Sequence, residues 1–498
     1  MGSGLLILIS KGKQNLYLNE NPDITFFKIM YKRYTNFSIE TVPQYFKSTP
    51  DFDKKNTVVI SKNADLINQL YLYIKLPAIP KCYHSILPNG IKKFRWVSKI
   101  GWAIIRTVDI EIGGMLVDRH YSEWLNIWNE LNGKNAHIKG LNNMIGNIDK
   151  LTTFTNGKES YSLYIPLNFW FCNNYGLALP IIALMHNEIK VHVEFNSFSK
   201  CYIENATHYI TIKENYCLFD KNEIIYQTIN GTTINAEFIY FDINTNYLYY
   251  NKINGDFLLE STGSNQNNYM IKGYATHFQV TPIFNNNINK DEGYFKNTIY
   301  PSIIKSFLLV NYIYLDNQER SYFLNTNHEY LINTLQLVPE TVIYSNNSQL
   351  KLKFIHPCKQ LIWRFQMKYN KEKNDIFNYS LNIRKNEKKK EIVLKEKIEF
   401  NGKNRLDIEF PKYYKFIQNY QNFINSPSFG IHTYSFSLYP DQYQPSGTIN
   451  FSKLDDATLK FNLDRTISYQ NYVTIKIFAI NYNLFRIING LGGIVFNR

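Results

Sequence analysis

The feature that most constrains the fold of this chain is an internal repeat. Groups of similar segments recur in one order, at offsets of about 290, 288 and 270 residues. The matching pairs are Asn68–Leu76 with Lys359–Met367, Val108–Gly114 with Lys397–Gly402, His120–Leu131 with Tyr413–Phe423, Tyr164–Trp170 with Tyr434–Tyr439, and Ile189–Phe195 with Thr458–Leu463. A period of this length is much longer than a solenoid or propeller repeat. The chain therefore contains two copies of a whole domain.

Each copy has the pattern of a β-rich domain. Apolar and polar side chains alternate in runs such as Ile189–Phe195, and turns containing Gly or Pro separate the runs. The 39 Tyr and 34 Phe residues favour pleated, half-buried surfaces. Strands do not alternate with long helices, which disfavours a parallel α/β sheet. The pattern predicts an all-β fold, with a sandwich or barrel in each copy.

Two segments depart from this pattern. Apolar residues recur at helical spacing from Tyr121 to Leu131, so a helix is predicted there. Between the copies, Lys200–Tyr300 is rich in Asn, Gly and Tyr, with only intermittent strand-like runs. We interpret it as a long insertion, either between the two copies or within the end of the first.

Composition and cysteine usage bound the class of protein. The aromatic content of 16% excludes intrinsic disorder, and the longest apolar stretch, Leu177–Met185, is too short to span a bilayer. Neither a secretory signal nor a CxxC motif is present. We expect a soluble protein made in a reducing compartment, without a disulfide framework. The five cysteines are Cys82, Cys172, Cys201, Cys217 and Cys358.

No catalytic, cofactor-binding or metal-ligating residues are predicted. The chain lacks a GxSxG elbow, a phosphate-binding P-loop and an HExxH motif, and His186 and His192 are not at chelating spacing. Asp455 and Asp456 form either an acidic pair for calcium or, as we favour, a turn in which carboxylates cap backbone N–H groups. Gly113–Gly114 is predicted to be a hairpin turn rather than a nucleotide loop.

The net charge of +14 favours association with anionic surfaces. Its densest run, Arg384–Lys397, is interleaved with glutamates. We interpret this run as a solvated loop, with a nuclear-import or nucleic-acid patch as the alternative. No nucleic-acid module is recognisable, and direct binding of nucleic acid is not expected.

Short motifs in one order along nearly the whole chain resemble those of the major capsid proteins of the nucleocytoplasmic large DNA viruses, which include iridoviruses, phycodnaviruses and mimiviruses. Each motif is modest alone, and the set is specific. The motifs are Asn21–Lys28, Tyr34–Phe37, Ile112–Gly114 with Asp118, Ile165–Cys172, Gly176–Pro180, Tyr314–Arg320, His328–Tyr330, Gln444–Ser452, Tyr482–Arg486 and Gly490–Gly493.

The resemblance implies a double jelly roll, in which two eight-stranded antiparallel jelly rolls with short helices and long loops stand side by side. It implies a homotrimeric, pseudo-hexagonal capsomer that tiles the outer icosahedral shell of the virion after assembly in the host cytoplasm. Its partners would be neighbouring capsomers, minor capsid proteins and the inner viral membrane, and it would have no cofactor and no enzymatic activity.

On this basis we expect an N-terminal arm at 1–25, a first jelly roll at 26–215, an insertion or linker at 216–300 and a second jelly roll at 301–498. The apolar run Leu5–Ile9 suits such an arm, or else a buried first strand. Two alternative functions remain. One is a related double-jelly-roll scaffolding protein of immature virions, and the other is a carbohydrate-binding jelly-roll protein or hydrolase.

Overall fold

The computed structural model describes most of the chain between residues 3 and 496. The residues not described within that span are 11, 82–93, 134, 205, 207, 221–222, 230, 244–245, 259–268, 287–300, 382–389, 406–409, 428 and 470. The predictions that concern Cys82 and the Arg384–Lys389 part of the basic run therefore lie outside the described residues.

The first two hundred residues contain most of the helices. The elements are α1 Ser3–Ile9, α2 Lys13–Asn19, β1 Phe37–Tyr45, β2 Lys55–Ile60, β3 Leu66–Leu76, β4 Phe94–Trp96, α3 Ile100–Ala103, β5 Ile105–Ile112, β6 Met115–Tyr121, α4 Ser122–Asn132, α5 Ile138–Ile145, α6 Asp149–Thr152, β7 Tyr161–Pro166, α7 Trp170–Asn173 and β8 Ile189–Phe195. The predicted helix at Tyr121–Leu131 is confirmed as α4.

The remainder of the chain is largely strands. The elements up to residue 315 are β9 Tyr202–Glu204, β10 His208–Ile212, β11 Ile224–Ile229, β12 Thr232–Asp242, β13 Tyr247–Asn254, β14 Ile271–Gly273, β15 Gln279–Val280, β16 Pro282–Asn286 and β17 Lys305–Leu315. Those that follow are α8 Asn317–Asn325, β18 His328–Ile343, β19 Asn347–Lys351, β20 Pro357–Met367, α9 Lys368–Glu372, β21 Val393–Phe400, β22 Lys403–Asn404, a π turn Tyr413–Ile417 continuing into α10 Gln418–Asn422, β23 Ile431–Ser435, β24 Ile449–Asn450, β25 Ala457–Leu463, β26 Val473–Ile488 and β27 Leu491–Ile494.

The first jelly roll consists of two four-stranded antiparallel sheets. One has the order β1-β17-β3-β7 and is called here the first-roll sheet, and the other has the order β2-β8-β5-β6. The pairs β1–β17, β2–β8, β3–β7 and β5–β6 are nested, as in a long hairpin rolled over itself. Successive pairs fall in alternate sheets, which is the connectivity of a jelly roll.

The second jelly roll repeats this connectivity. The order β18-β26-β20-β23 is called here the second-roll sheet, and β19-β25-β21-β22 lies opposite it. The strands paired by the sequence repeat occupy equivalent places: β3 matches β20, β5 matches β21, β7 matches β23, and β8 matches β25. The expected double jelly roll is therefore confirmed.

The two rolls differ in how much of their equivalent sheets is buried. In β3, buried and half-buried side chains alternate from Leu70 to Leu76, because only one face lies on the core. In β20, every residue after Pro357 is buried, so both faces are covered. The main core of the first roll also takes in Ile332, Phe485 and Ile487 from the second. The two rolls therefore share a continuous apolar interior.

The segment after the eighth strand is an insertion within the first roll, the second of the two placements considered. Strands β10–β16 form a seven-stranded antiparallel sheet with its own apolar core, so the expected start of the insertion at 216 is too late. The expected boundary at 301 places β17 in the second roll, but β17 pairs with β1 and β3. The sequence repeat did not identify β17 as part of the first roll, because all the first-copy segments in the repeat lie before the insertion. We propose a boundary between β17 and β18.

The N-terminal segment lies outside both rolls. The run Leu5–Ile9 falls within helix α1 and is not a buried strand. The described side chains from residue 6 to residue 36 are exposed, and the first strand begins only at Phe37, not at 26. Strand β1 forms an edge of the first-roll sheet, where Pro43 is tolerated because its missing N–H can face away from the partner strand.

The hairpin turn predicted at Gly113–Gly114 joins β5 to β6, with φ of 60° at Gly113 and 82° at Gly114. A Cβ atom on Gly113 would lie 1.5 Å from Nδ2 of Asn187. The Oδ1 atom of Asn187 in turn accepts a hydrogen bond of 2.9 Å from the backbone N–H of Gly492 in β27. This turn is therefore tied to the C-terminal hairpin of the second roll.

Substitution of Gly113 by Ala is expected to lower the free energy of unfolding by about 2–3 kcal/mol, because it adds a clash with Asn187 to backbone strain. Gly114→Ala is the matched control, since no heavy atom lies within 4 Å of its added Cβ and only the strain of about 1 kcal/mol remains. Urea unfolding of both variants measures the difference. Equal losses for the two would show that the clash is relieved at no cost.

Candidate assembly interface

An apolar contact between the rolls is made by helix α4 on the outer face of the second-roll sheet. Trp124, Ile127 and Leu131 lie on one side of this helix and are buried. They form a cluster with the second-roll residues Leu335, Ile362, Tyr379, Ile431, Phe478 and Ile480. Leu125, on the other side of the helix, packs into the core of the first roll. The helix therefore has one apolar face in each roll.

A buried charge network lies within this contact. The Arg364 side chain on β20 is fully buried, and it donates from Nε and Nη2 to the two carboxylate oxygens of Glu123 on α4 at 2.8 and 2.9 Å. Its Nη2 also donates to Glu340 at 2.7 Å, and Lys476 donates to Glu123 at 3.1 Å. The Nη1 atom donates to the carbonyl and hydroxyl oxygens of Thr474. All three nitrogen atoms of the guanidinium therefore donate hydrogen bonds.

The charges in this network compensate for their burial. Burial alone would raise the pKa of Glu123, but the positive charges of Arg364 and Lys476 outweigh it and lower that pKa to about 2. Burial would likewise raise the pKa of Glu340, but the positive charges of Arg364 and Lys476 outweigh it and lower that pKa to about 2. The neighbouring Glu123 raises the pKa of Arg364 despite its burial. All three groups are charged at neutral pH.

Backbone hydrogen bonds add directional contacts between the rolls. The Asp118 carboxylate, on strand β6 of the first roll, accepts from the backbone N–H of Leu335 at 3.0 Å in a buried setting. The same carboxylate lies 3.0 Å from Nε2 of His120. Asn374 donates to the carbonyl oxygens of Ser199 and Tyr202, both at 2.7 Å. These contacts fix the relative rotation of the rolls as well as their separation.

The histidine and aspartate candidates from the sequence are dispersed. His192 lies 2.8 Å from the Thr57 hydroxyl and 2.9 Å from Glu111, on the outer face of strand β8. Asp456 accepts from the hydroxyl of Thr458 and lies 3.4 Å from Lys351, so its carboxylate binds side chains rather than capping N–H groups. Within the part of the chain that is described, no three His, Cys, Asp or Glu side chains are grouped to hold a metal ion.

The described end of the basic run is structured rather than solvated. Glu396 in β21 is buried, accepts from the Trp363 indole at 3.0 Å and contacts His432. Glu391 forms an ion pair with Lys415. The interpretation of 384–397 as a solvated loop is therefore wrong for Glu396, because β21 lies inside the second roll, and Glu391 just before β21 is half-buried in its ion pair.

The described thiols are buried or half-buried and unpaired. Burial raises the pKa of Cys172 and of Cys217 to about 12, and it also raises that of Cys201 and Cys358. These thiols are therefore protonated and weakly nucleophilic at neutral pH. No helix among the described residues is long and apolar enough to cross a membrane.

An open cleft of about 800 Å³ lies beside α4 and α5. Its acidic lining residue is Glu130, which forms a 2.9 Å ion pair with Lys99. A glycoside hydrolase needs two carboxylates facing one bond. The described lining of this cleft supplies one, and that one is neutralised.

The residues that join the rolls were not among the sequence candidates. Glu123 and Arg364 are 241 positions apart, so no local motif connects them. One signal was present: Arg364 interrupts the otherwise apolar centre of Leu361–Phe365, which predicts that a charged partner covers that strand.

Family profiles match both halves of the chain. A profile described as major capsid protein N-terminus matches residues 25–316, and one described as large eukaryotic DNA virus major capsid protein matches residues 319–493. The interval between the two matches falls between β17 and β18.

Curated relatives match over the full length. The chain is 37% identical to probable capsid protein 4 of Acanthamoeba polyphaga mimivirus, over 100% of this chain and 99% of that protein. It is 30% identical to the major capsid protein of Pyramimonas orientalis virus, over 100% of both.

Solved structures share the fold at lower identity. PBCV-1 VP54, fitted into a reconstruction of the virophage Sputnik, matches with a TM-score of 0.64 and 23% identity, over 95% of this chain and 100% of that chain. The Faustovirus major capsid protein matches with a TM-score of 0.64 and 11% identity, over 96% of this chain and 94% of that chain.

Substitution of Glu123 by Gln is expected to lower the free energy of unfolding by about 3 kcal/mol at pH 7, because it leaves Arg364 buried without its bidentate partner. The folded pKa of Glu123 lies below its ordinary value of 4.5, so its contribution is complete above that pH and is lost as the pH falls towards 2. In urea unfolding, the difference in the free energy of unfolding between wild type and variant should therefore decrease as the pH falls from 4.5 to 2.

Glu329→Gln is the control, since Glu329 pairs with Arg486 at the surface and such pairs contribute at most about 1 kcal/mol. Equal effects for the two glutamates would contradict a special role for the buried pair.

Proposed function

Because the chain belongs to the major capsid protein family of large eukaryotic DNA viruses, and so has its place in the virion capsid, we propose that three copies form a pseudo-hexagonal capsomer. Two similar rolls in each copy would supply six similar sides. A closed three-fold oligomer could then occupy a lattice position with six neighbours.

The observation that carries this proposal is the interface between the rolls. Trp124, Ile127 and Leu131 are buried against the second-roll sheet, and the Glu123–Arg364 pair fixes that contact. Rolls joined in this way move as one body, whereas rolls on a flexible tether would not give a defined outline. We propose neighbouring capsomers of the outer icosahedral shell as the partners along its sides.

The N-terminal segment suits contacts beneath the shell. Phe27 and Ile29 are 98% and 97% exposed, and Lys28, Lys32 and Arg33 lie among such apolar residues. Basic and aromatic side chains together favour the surface of an anionic bilayer. We propose that this arm reaches the inner viral membrane, alongside minor capsid proteins.

We propose a structural role without catalysis or a cofactor. Assembly needs complementary surfaces rather than reactive groups, and groups such as His192, Glu111 and Glu123 are engaged in hydrogen bonds and ion pairs. The full-length relatives carry the name of capsid proteins, which favours this role over the scaffolding and carbohydrate-binding alternatives.

Purified full-length protein is expected to have a mass of three times 58.8 kDa in multi-angle light scattering at micromolar concentration. Each pair of copies should bury more than about 1,000 Å², the size of a stable interface. Electron microscopy of the same sample should show particles with three-fold symmetry and a near-hexagonal outline. A mass of a single chain at this concentration would contradict the proposal.

Replacement of Lys28, Lys32 and Arg33 together by Gln is expected to weaken binding to vesicles containing phosphatidylserine by about 100-fold, since each basic residue contributes about 1 kcal/mol. Co-sedimentation measures the change, and vesicles of neutral lipid are the control. Unchanged binding to both kinds of vesicle would show that the arm has another partner.

A further inference from the structure

The helix of the second roll is the counterpart of α4. Its inner side packs on β23 of its own roll, where Asn419 accepts from the Thr433 hydroxyl, but among the described residues its outer side covers no second sheet. We propose that this helix, residues 411–422, docks on the outer face of the first-roll sheet of a second copy. This contact between two chains would have the same form as the packing of α4 on the second-roll sheet within one chain. This inference rests on the proposed trimer and specifies how it is built.

The two helices align on one buried anchor each, and the second contains the π turn Tyr413–Ile417 where α4 is α-helical throughout. Leu125 anchors α4 in the core of the first roll, and Tyr414 anchors the second helix in the core of the second roll. Alignment on these anchors places Phe416, Ile417 and Tyr420 where α4 has Ile127, Trp128 and Leu131.

These three second-helix side chains are 48%, 47% and 90% exposed. Tyr420 follows Ile417 by three residues and Phe416 by four, which puts both of them beside Tyr420 on one side of the helix. Ile424, just after the helix, is 55% exposed. An apolar helical stripe of this kind normally has a partner.

The two sheets also correspond. Leu70 and Leu361 both point into their own cores, so Tyr71 on β3 is equivalent to Ile362 on β20. Tyr71 pairs with Leu309, as Ile362 pairs with Phe478. Leu309 is therefore the counterpart of a residue that α4 covers.

The outer face of the first-roll sheet is rich in aromatic side chains. Tyr45, Phe307, Tyr73 and Tyr164 form a row across all four strands, with ring centroids 5.6, 4.4 and 5.1 Å apart. Tyr45 and Tyr164 are 61% and 42% exposed. The equivalent face of the second roll is buried, so this face has the character of an interface whose partner is not among the described residues of the same chain.

The proposed contact differs from that of α4 at its charged centre, and the difference affects both the helix and the sheet. The alignment places Lys412 at the position of Glu123, and it places Tyr73 and Phe307 at the positions of Arg364 and Lys476. Tyr73 and Phe307 are stacked at 4.4 Å, and the ammonium of Lys305 already lies 5.2 Å from the centroid of the Phe307 ring, so Lys412 would meet the Tyr73 ring of this pair. Lys412 would instead be repelled by Arg364 and Lys476.

The second helix therefore prefers the first-roll sheet to a sheet of its own kind. A contact between unlike surfaces is head-to-tail, and such contacts close into rings when the rotation allows. Six similar helix-on-sheet contacts, three within chains and three between them, would then surround one axis.

The direct test places the photoreactive residue p-benzoylphenylalanine at position 420 of the full-length protein. After irradiation, covalent oligomers should appear on a denaturing gel, with cross-linked peptides from residues 37–45, 66–76 or 305–315. The same residue at position 469, where Tyr469 is 69% exposed, should give no such products. A three-chain mass with cross-links elsewhere would overturn this inference while leaving the trimer intact; a single-chain mass would overturn both.

A charge exchange tests the centre of the contact. Lys412→Glu, made together with Lys305→Gln so that no ammonium lies beside the new carboxylate, should raise the dissociation constant of the trimer at least tenfold in sedimentation, because the carboxylate then faces an aromatic pair. Adding Tyr73→Arg to these two substitutions should restore assembly, since it recreates between chains the Glu123–Arg364 pair.

Tyr420→Asp should likewise weaken assembly at least tenfold, and Tyr469→Asp should not. Circular dichroism should show an unchanged folded spectrum for Tyr420→Asp, because the side chain is exposed in the single chain. A Tyr420→Asp trimer of unchanged stability, or a triple variant no better than Lys412→Glu with Lys305→Gln, would overturn the inference.

Discussion

The covering of the second-roll sheet by α4 is the contact on which the architecture depends. It converts β20 from a strand with one buried face into a strand buried on both. Burying Trp124, Ile127 and Leu131 contributes roughly 5–9 kcal/mol at about 1.5–3 kcal/mol each. Without this contact, only the shared core residues and the hydrogen bonds of Asp118 and Asn374 would set the angle between the two rolls.

The charged pair within that contact gives it direction. A buried ion pair offers little net stability, because desolvation offsets most of the attraction, but removing one partner is costly. Glu123 and Arg364 therefore penalise any packing in which they are separated. Together with the bond from Leu335 to Asp118, they select one orientation of the rolls from the many that an apolar face alone would tolerate.

The sequence repeat predicted the equivalent strands well, because alternation and glycine turns are local features. Segments Asn68–Leu76 and Lys359–Met367 are β3 and β20, and Gly113–Gly114 is the turn expected. Strand β17 was assigned to the wrong roll because its partners lie before a long insertion. The Glu123–Arg364 pair was invisible for a similar reason, since the fold alone brings together residues 241 positions apart. Glu396 was misjudged because its buried partners, Trp363 and His432, come from other strands.

The central claim is that one kind of helix-on-sheet contact is used both within and between copies. A cryo-electron microscopy map of the purified oligomer, at a resolution that shows side chains, tests it most directly. Tyr420 should lie against β3 and β17 of the adjacent copy, with the distance between helix and sheet matching that of α4 within each chain. A map in which copies meet through other surfaces and Tyr420 faces solvent would contradict the claim.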